Sequence, residues 1–233
     1  NPKVFITGFN RENLKIKVIN GKKKKKYILD YVGKNSGQSG IVYCSTRKEV
    51  DSVYELLLGK FRTVTRYHGG LSDEERKRNQ ENFIYDKSNI IVATNAFGMG
   101  IDKPDVRFVI HHDIPKSLES YYQETGRAGR DGGEGHCLAY YSYKDIEKLE
   151  KFLSGKPVAE QEIGFALLQE VVAYAETSMS RRKFLLHYFG EEFDDVNGDG
   201  ADMDDNVRNP KKKVEAQDQV VTLLKVVRDT KQL

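Results

Sequence analysis

Short apolar runs alternate with amphipathic helical stretches through the middle of the chain. The apolar runs are residues 41–44, 63–67, 90–93, 108–111 and 136–141. The helical stretches between them are residues 47–58, 73–83 and 119–123. Near-continuous apolar strands that alternate with helices predict an α/β fold, with a parallel sheet covered by helices on both faces. Ligands of such sheets bind outside the carboxyl ends of the strands, so we expect the chemistry in the loops after Cys44, Tyr67, Ala93 and His111.

The pattern becomes purely helical after Tyr143. Residues 144–153, 160–177 and 180–189 predict helices. Residues 191–210 are acidic, contain glycine and look irregular, and residues 214–227 predict one more amphipathic helix. The chain therefore divides into four parts. These are a connecting segment (1–20, with an approach strand at 14–19), the α/β domain (21–150), a small all-helical subdomain (151–210) and the start of a further domain (211–233).

The composition is that of an ordinary soluble globular protein, with 38% hydrophobic and 31% charged residues in a chain of 233. No apolar run reaches the roughly eighteen residues of a membrane span. The N-terminus lacks a basic-then-apolar signal, which argues against secretion, and a chain that begins without Met resembles an excised fragment. Cys44 and Cys137 lie in apolar runs, so we expect two buried, reduced thiols in a cytoplasmic protein.

The net charge of +3 is too small to indicate nucleic-acid binding by itself. Its distribution is more informative, because residues 22–26 are five consecutive lysines and residues 191–205 hold eight acidic side chains. Each block has a plain interpretation as solvated surface. For the lysines, an outer contribution to DNA binding is an equally open alternative.

A glycine-rich segment at residues 123–132 carries two arginines three positions apart. Arg127 and Arg130 stand among glycines that let the backbone approach a ligand closely. A planar guanidinium suits phosphate recognition, because it donates two parallel hydrogen bonds. Two such groups can neutralise the charge that develops on a phosphoryl group during its transfer.

A second loop, at residues 94–105, follows the buried run 90–93. It offers the hydroxyl of Thr94, two glycines and the carboxylate of Asp102. A threonine hydroxyl with nearby backbone N–H groups can bind a phosphate of a nucleic-acid strand. The carboxylate of Asp102 can accept hydrogen bonds from a ribose.

Several spaced motifs in this order resemble those of superfamily 2 helicases. Residues 40–47 look like motif IV, residues 92–102 like motif V and residues 123–132 like motif VI. The strings His112-Asp113-Ile114-Pro115 and Glu119-Ser120-Tyr121-Tyr122-Gln123-Glu124 narrow the resemblance to the RecQ DNA helicases. It extends over roughly residues 8–233, and several motifs in the right order are far more specific than one glycine-rich match.

The resemblance implies a RecA-like domain that is the second motor lobe of an ATP-dependent 3′–5′ DNA helicase acting in DNA repair and recombination. ATP and Mg²⁺ would be held mainly by a first lobe that precedes this chain. Arg127 and Arg130 would face the γ-phosphate, with Arg130 as the arginine finger. Asp102 would contact the ribose, and Gln123 and Gly100 would belong to the nucleotide site and its coupling to DNA. The residues implied along the DNA backbone are Thr46, Arg47, His68, Gly69 and Thr94.

The chain contains neither a phosphate-binding loop of the G-x-x-x-x-G-K-[ST] type nor an acidic Mg²⁺-binding motif after a strand. Both belong to the first lobe, so we expect this chain alone to be inactive. The resemblance further implies single-stranded and junction DNA as the partner, a nucleoid-associated location and a truncated winged-helix domain from residue 211. The alternative function is a non-catalytic DNA-binding or regulatory module that keeps the lobe. A nicotinamide-binding domain does not fit, because the glycines near Gly126 follow a helical stretch instead of a first strand.

The helical subdomain departs from the family, in which four cysteines hold one zinc ion. The matching positions here are Ser180, Asn197, Gly200 and Met203, which supply no thiolate, so we predict no zinc. Residues 195–200 instead resemble the opening of a calcium loop, with oxygen ligands from Asp195, Asn197 and Asp199. The alternatives for this stretch are a weak Ca²⁺ site and an acidic, solvated loop.

Overall fold

A six-stranded parallel sheet forms the centre of the protein. The computed structural model describes residues 8–21, 23–98, 101–212 and 214–230. The strands lie in the order β1-β6-β5-β2-β4-β3. Their bounds are β1 Leu14–Asn20, β2 Ser39–Tyr43, β3 Val64–Tyr67, β4 Ile90–Ala93, β5 Val106–His111 and β6 Gly135–Tyr141. Every pair of neighbouring strands is parallel, which confirms the predicted sheet.

Helices cover both faces of this sheet. Their bounds are α1 Lys24–Lys34, α2 Arg47–Leu58, α3 Asp73–Ile84, α4 Leu118–Thr125, α5 Tyr143–Leu153, α6 Val158–Glu176, α7 Arg181–Tyr188, α8 Asp205–Arg208 and α9 Gln217–Thr230. Alternate strand residues point to opposite faces. Val42 therefore packs with α1 and α2, whereas its neighbour Ile41 packs with Phe83 of α3. The helical subdomain covers the same face of the sheet as α3, at the edge formed by β1, where Leu168 and Leu185 pack against Ile16.

Local sequence signals explain where the helices next to the sheet begin. Thr46 caps α2 by accepting a hydrogen bond from the Glu49 N–H at 3.2 Å. Ser72 and Glu75 form a reciprocal capping box at the start of α3. Within β2, a Cβ at Gly40 would stand 2.5 Å from Cδ2 of Phe108, so only glycine lets these two strands pack.

The approach strand predicted at residues 14–19 is present as β1, an edge strand that pairs with β6 over its whole length. Two other features differ from the sequence expectations. The lysine block contributes the start of α1, a helix that the apolar pattern did not predict. The stretch 191–210 is not irregular throughout, because it contains a 3₁₀ turn at Ala201–Met203 and the short helix α8. In each case a contact distant in sequence fixes a segment whose local pattern is weak.

Cys44 and Cys137 are both free and buried, as predicted. Burial raises the pKa of the Cys137 thiol to about 12, so it stays protonated at neutral pH. None of the described helices has the length and apolar character needed to cross a membrane. The apolar side chains of α9, among them Leu223 and Leu224, are exposed.

Candidate functional site

The loop that carries the two arginines lies at the amino ends of the strands. The Gly129 N–H donates to the carbonyl of Val106 at the start of β5, at 2.9 Å. The Asp131 N–H donates to the carbonyl of Pro104 at 3.2 Å. This end of the sheet is opposite to the starts of the loops after Cys44, Tyr67, Ala93 and His111, where the strand pattern predicted the chemistry. The arginine loop lies here because α4 runs back across the sheet and delivers it next to the start of β6.

Arg130 and Asp102 are brought together at this end of the sheet. Nη1 of Arg130 donates to Oδ1 of Asp102 at 2.9 Å and to the carbonyl of Ile101 at 3.0 Å. The Arg130 side chain is 35% exposed and that of Asp102 is 86% exposed, so both face solvent. The two groups implied for the γ-phosphate and the ribose therefore share one open surface.

Arg127 lies on the inner side of the same loop, against the second predicted loop. A Cβ at Gly98 would stand 2.5 Å from Cζ of Arg127, so the guanidinium occupies the space that a side chain there would need. Nε of Arg127 is buried and has no hydrogen-bond partner in the part of the chain that the structure describes. Burial raises the pKa of Tyr43, and the positive charge of Arg127 nearby opposes that shift. The tyrosine hydroxyl donates to the carbonyl of Phe97 at 3.2 Å, which ties the second loop to β2.

The residues implied for DNA contact follow the carboxyl ends of β2, β3 and β4. Arg47 is exposed and has no hydrogen-bond or ion-pair partner within the described residues. Its Nη2 lies 3.6 Å from the place that a Cβ at Gly69 would take, so the guanidinium covers that loop. The Thr94 N–H donates to the carbonyl of Tyr67 at 3.1 Å and holds the loops after β3 and β4 side by side.

His68 and Thr46 are already engaged within the protein. Nδ1 of His68 accepts from the Gly70 N–H at 3.1 Å, and Nε2 lies 3.0 Å from Oδ1 of Asp51. An accepting Nδ1 leaves the proton on Nε2, which then donates to the carboxylate. His68 is also buried. These two side chains shape the loops, and Arg47, Gly69 and Thr94 offer the open groups.

The other residues implied for the nucleotide site are Gln123, for which the structure shows fewer contacts, and Gly100. Gln123 is exposed on α4 and makes no hydrogen bond among the described residues. Gly100 lies outside the described residues, as does Lys22 of the lysine block.

Within the lysine block, Lys24 turns inward and binds two carboxylates, Asp145 at 2.5 Å and Asp113 at 3.2 Å. This lysine therefore belongs to a buried ion pair and not to an outer DNA surface.

A buried charged cluster of Lys24, His112 and Asp113 lies at the carboxyl end of β5, and the sequence alone did not predict it. Burial alone would raise the pKa of Asp113, but the hydrogen bond from His112 and the charges of His112 and Lys24 outweigh it and lower the pKa far below its usual range. Asp113 also accepts from Ser45 and thereby ties the loop after β2 to that after β5. The only signal in the sequence was the string His112-Asp113-Ile114-Pro115.

The same cluster contains the one group of potential metal ligands found among the described residues, Glu49, His112 and Asp113. Lys148 lies 2.8 Å from Glu49, and Lys24 binds Asp113. Because two ammonium groups already balance these carboxylates, the cluster is an ion-pair network.

The residues at the four positions that match the family's cysteines form no metal-binding set. The Ser180 hydroxyl accepts from the Lys183 N–H at 3.1 Å, as the cap of α7, and donates to Asp204 at 2.8 Å. Gly200 contributes its carbonyl to Arg182 at 3.0 Å. A thioether, an amide, a hydroxyl and a glycine do not make the donor set that zinc prefers. The residues present do not fit a structural zinc ion.

The predicted calcium loop is held by its own contacts. Asp195 binds Nζ of Lys183 at 2.7 Å, which occupies one of its carboxylate oxygens. Oδ1 of Asp194 accepts from the N–H groups of Val196 and Asn197, which forms a local Asx turn. The Ca²⁺ site therefore stays a prediction from sequence.

Two family models match the chain. The helicase conserved C-terminal domain covers residues 23–132, and the RecQ zinc-binding model covers residues 143–204. The ATP-dependent DNA helicase RecQ of Bacillus subtilis is 47% identical over 82% of this chain, and the RecQ-like DNA helicase BLM of Xenopus laevis is 43% identical over 82%. The matched regions are only 33% and 14% of those relatives, so the chain corresponds to a minor part of each.

Solved structures of more distant proteins share the fold. A Saccharomyces cerevisiae Dbp5 structure aligns with a TM-score of 0.55 at 22% identity, over 69% of this chain and 47% of that one. The C-terminal domain of the DEAD-box protein Dbp5 aligns with a TM-score of 0.52 at 24% identity, over 64% of this chain and 89% of that one. At these identities the likeness concerns the fold, and it confirms the RecA-like α/β architecture.

Proposed function

The chain belongs to the RecQ family of superfamily 2 helicases, as its C-terminal motor lobe and the subdomain that follows, and from this we propose that the complete protein is an ATP-dependent DNA helicase. In this proposal ATP hydrolysis drives 3′–5′ movement along one strand and separates the duplex. We further propose that this enzyme acts in DNA repair and recombination and that it associates with the nucleoid.

The observation that carries the proposal is that Asp102, Arg127 and Arg130 lie in two loops that pack against each other, through the Arg130–Asp102 ion pair and the contact of Arg127 with Gly98. Phosphoryl transfer needs positive charge placed against the developing charge of the phosphoryl group. Arg130 is exposed and held by Asp102, and a ribose hydroxyl could take over that carboxylate when nucleotide binds. The guanidinium would then be released toward the phosphate. ATP and Mg²⁺ would be held mainly by the preceding lobe.

We assign DNA contact to the carboxyl ends of β2, β3 and β4, the end of the sheet opposite to Arg130 and Asp102. Arg47, the backbone of Gly69 and Thr94 present one cation, one open N–H position and one hydroxyl side by side. Such groups bind phosphates and carry no sequence information. His68 and Thr46, which were expected to line this path, are proposed to contribute by holding the loops in shape. Gln123 projects from α4, which connects the two ends, and is proposed to couple them.

We propose that the helical subdomain folds without zinc. The arginines and aspartates around Asp204 are hydrogen-bonded to one another and to the backbone, and Asp204 is fully buried. A buried carboxylate is stable only when it is paired and hydrogen-bonded, and here three donors reach it: Ser180 Oγ, Arg182 N and Asn206 N. This polar core supplies a cross-link of the kind that a metal ion would otherwise provide.

The test is the DNA-stimulated ATPase of the full-length protein. Arg130→Ala should lower turnover by about a thousandfold, the low end for an arginine finger, with a smaller effect on ATP binding. Arg78→Ala is a matched control, because that arginine lies on α3 with a side chain 66% exposed. Near-normal turnover in Arg130→Ala would contradict the assignment. A wild-type protein that binds DNA but never turns over ATP would favour the regulatory module.

A further inference from the structure

The segment at residues 10–14, which leads into β1 and includes its first residue, lies between the arginine loop and the helical subdomain. Its Arg11 side chain donates three hydrogen bonds to the loop: Nη1 to the carbonyl of Gly126 at 3.2 Å, and Nη2 to those of Ala128 and Gly129, each at 3.0 Å. Two of these carbonyls flank Arg127, and the third precedes Arg130. Arg11 thus fixes the backbone on both sides of the first arginine and next to the second.

Asn13 strengthens the same attachment. Its Nδ2 donates to the carbonyl of Gly129 at 2.8 Å and to that of Gly133 at 2.7 Å. Gly129 has a φ of 56°. A glycine-rich loop has few side chains with which to pack, so its conformation depends on where its carbonyl groups are bound. A guanidinium, with five donors in a rigid plane, can hold several carbonyls in one fixed arrangement.

The helical subdomain holds this segment in turn. Arg182 of α7 is only 3% exposed, and its guanidinium reaches across to the segment. Nη1 donates to Oδ1 of Asn10 and to the carbonyl of Arg11, both at 2.7 Å, and Nη2 donates to the carbonyl of Leu14 at 2.6 Å. The backbone N–H of Arg182 is bound by the buried Asp204 at 2.9 Å. The contacts therefore run without a break from Asp204 to the arginine loop.

We propose that Arg11 is a positioning residue for the arginine loop, and that Arg182 keeps Arg11 in place from the helical subdomain. This inference rests on the proposed function, because it gives the loop arginines a role in ATP turnover. Neither Arg11 nor Arg182 touches the nucleotide in this scheme. Both act through the backbone that carries Arg127 and Arg130. The subdomain thereby contributes to catalysis from outside the α/β domain.

The experiment measures DNA-stimulated ATPase, nucleotide affinity and melting temperature of the full-length protein. Arg11→Ala should lower kcat by about a hundredfold, the effect of misplacing a catalytic group by about 1 Å, and change KM and ATP affinity by less than about threefold. Asn13→Ala removes only the second attachment and should lower kcat about tenfold. Arg182→Lys keeps the charge but loses the planar fork, so it should also lower kcat about tenfold. Glu12→Ala, an exposed neighbour, is the control and should leave kcat unchanged.

A mutant cycle separates positioning from simple destabilisation. Because Arg11 holds the backbone at both loop arginines, adding Arg11→Ala to a protein that already carries Arg127→Ala and Arg130→Ala should lower kcat by less than about threefold further. Fully additive losses would overturn the inference, as would an Arg11→Ala protein with reduced melting temperature but normal kcat per folded molecule. If Arg11→Ala fails to fold, the Asn13→Ala and Arg182→Lys variants decide, and unchanged kcat in both would overturn it. Normal turnover in Arg130→Ala alone would instead reject the proposed function.

Discussion

Replacing Gly98 with alanine tests whether the two predicted loops act as one site. Gly98 has a φ of 136°, a region that side chains rarely adopt, and a Cβ there would stand 2.5 Å from Cζ and 2.8 Å from Nε of Arg127. Ordinary carbon contacts begin near 3.5 Å, so the guanidinium must move by about 1 Å. A displacement of that size can lower a catalytic rate by about a hundredfold. The backbone strain adds a loss of about 1–3 kcal/mol in the free energy of unfolding.

The assay compares the full-length Gly98→Ala protein with Gly37→Ala by urea unfolding and by DNA-stimulated ATPase. Gly37 is a matched control, because its φ is 88° and nothing lies within 4 Å of a Cβ there. Both variants should lose stability, and only Gly98→Ala should lose turnover. Adding Arg127→Ala to Gly98→Ala should recover part of the stability without recovering activity, because it removes the overlap but also the cation. Turnover of Gly98→Ala within about threefold of wild type would refute the reasoning.

Two further predictions concern DNA and metal. Arg47→Ala should weaken binding of the full-length protein to single-stranded DNA equally for all sequences, as measured by fluorescence anisotropy. It should also make the slope of log affinity against log salt shallower by about 0.7. A loss confined to one sequence would contradict a phosphate contact. The purified protein should hold less than one zinc ion per chain by elemental analysis, and a chelator should leave its melting temperature unchanged, because Ser180 and Asp204 cross-link the subdomain by hydrogen bonds; one tightly bound zinc per chain would overturn that proposal.

The sheet was predictable because its central strands are buried on both sides. Residues 90–93 are apolar without interruption, and the structure forms β4 over Ile90–Ala93. The edge strand was harder to interpret. Residues 14–19 alternate apolar and polar side chains, which indicates a strand but not its partner. Pairing with β6 joins residues more than a hundred positions apart, so no local pattern in the sequence specifies it.

The candidate site was predictable only as a set of residue types. Sequence motifs placed Arg130 and Asp102 in the same function, and the structure brings them to 2.9 Å. The motifs could not distinguish a polar group that faces a ligand from one whose hydrogen bonds are already made within the protein. His68 shows the difference, since both of its ring nitrogens have protein partners. Arg11 shows the opposite case, since nothing around it in the sequence connects it with a loop more than a hundred positions away.

The second loop joins the two ends of the sheet. At its start the Thr94 N–H is held by Tyr67, next to the residues proposed for DNA, and at its end Asp102 holds Arg130, proposed for the nucleotide. Between them Gly98 lies against Arg127. A shift of the loop at Gly98 would therefore displace the packed guanidinium, because close-packed groups leave little free space around them. Under the proposed function, this geometry gives a physical route by which a change at Arg127 and Arg130 reaches the edge of the sheet proposed to bind DNA. It also makes Gly98 the position where a single added methyl group should interrupt that route.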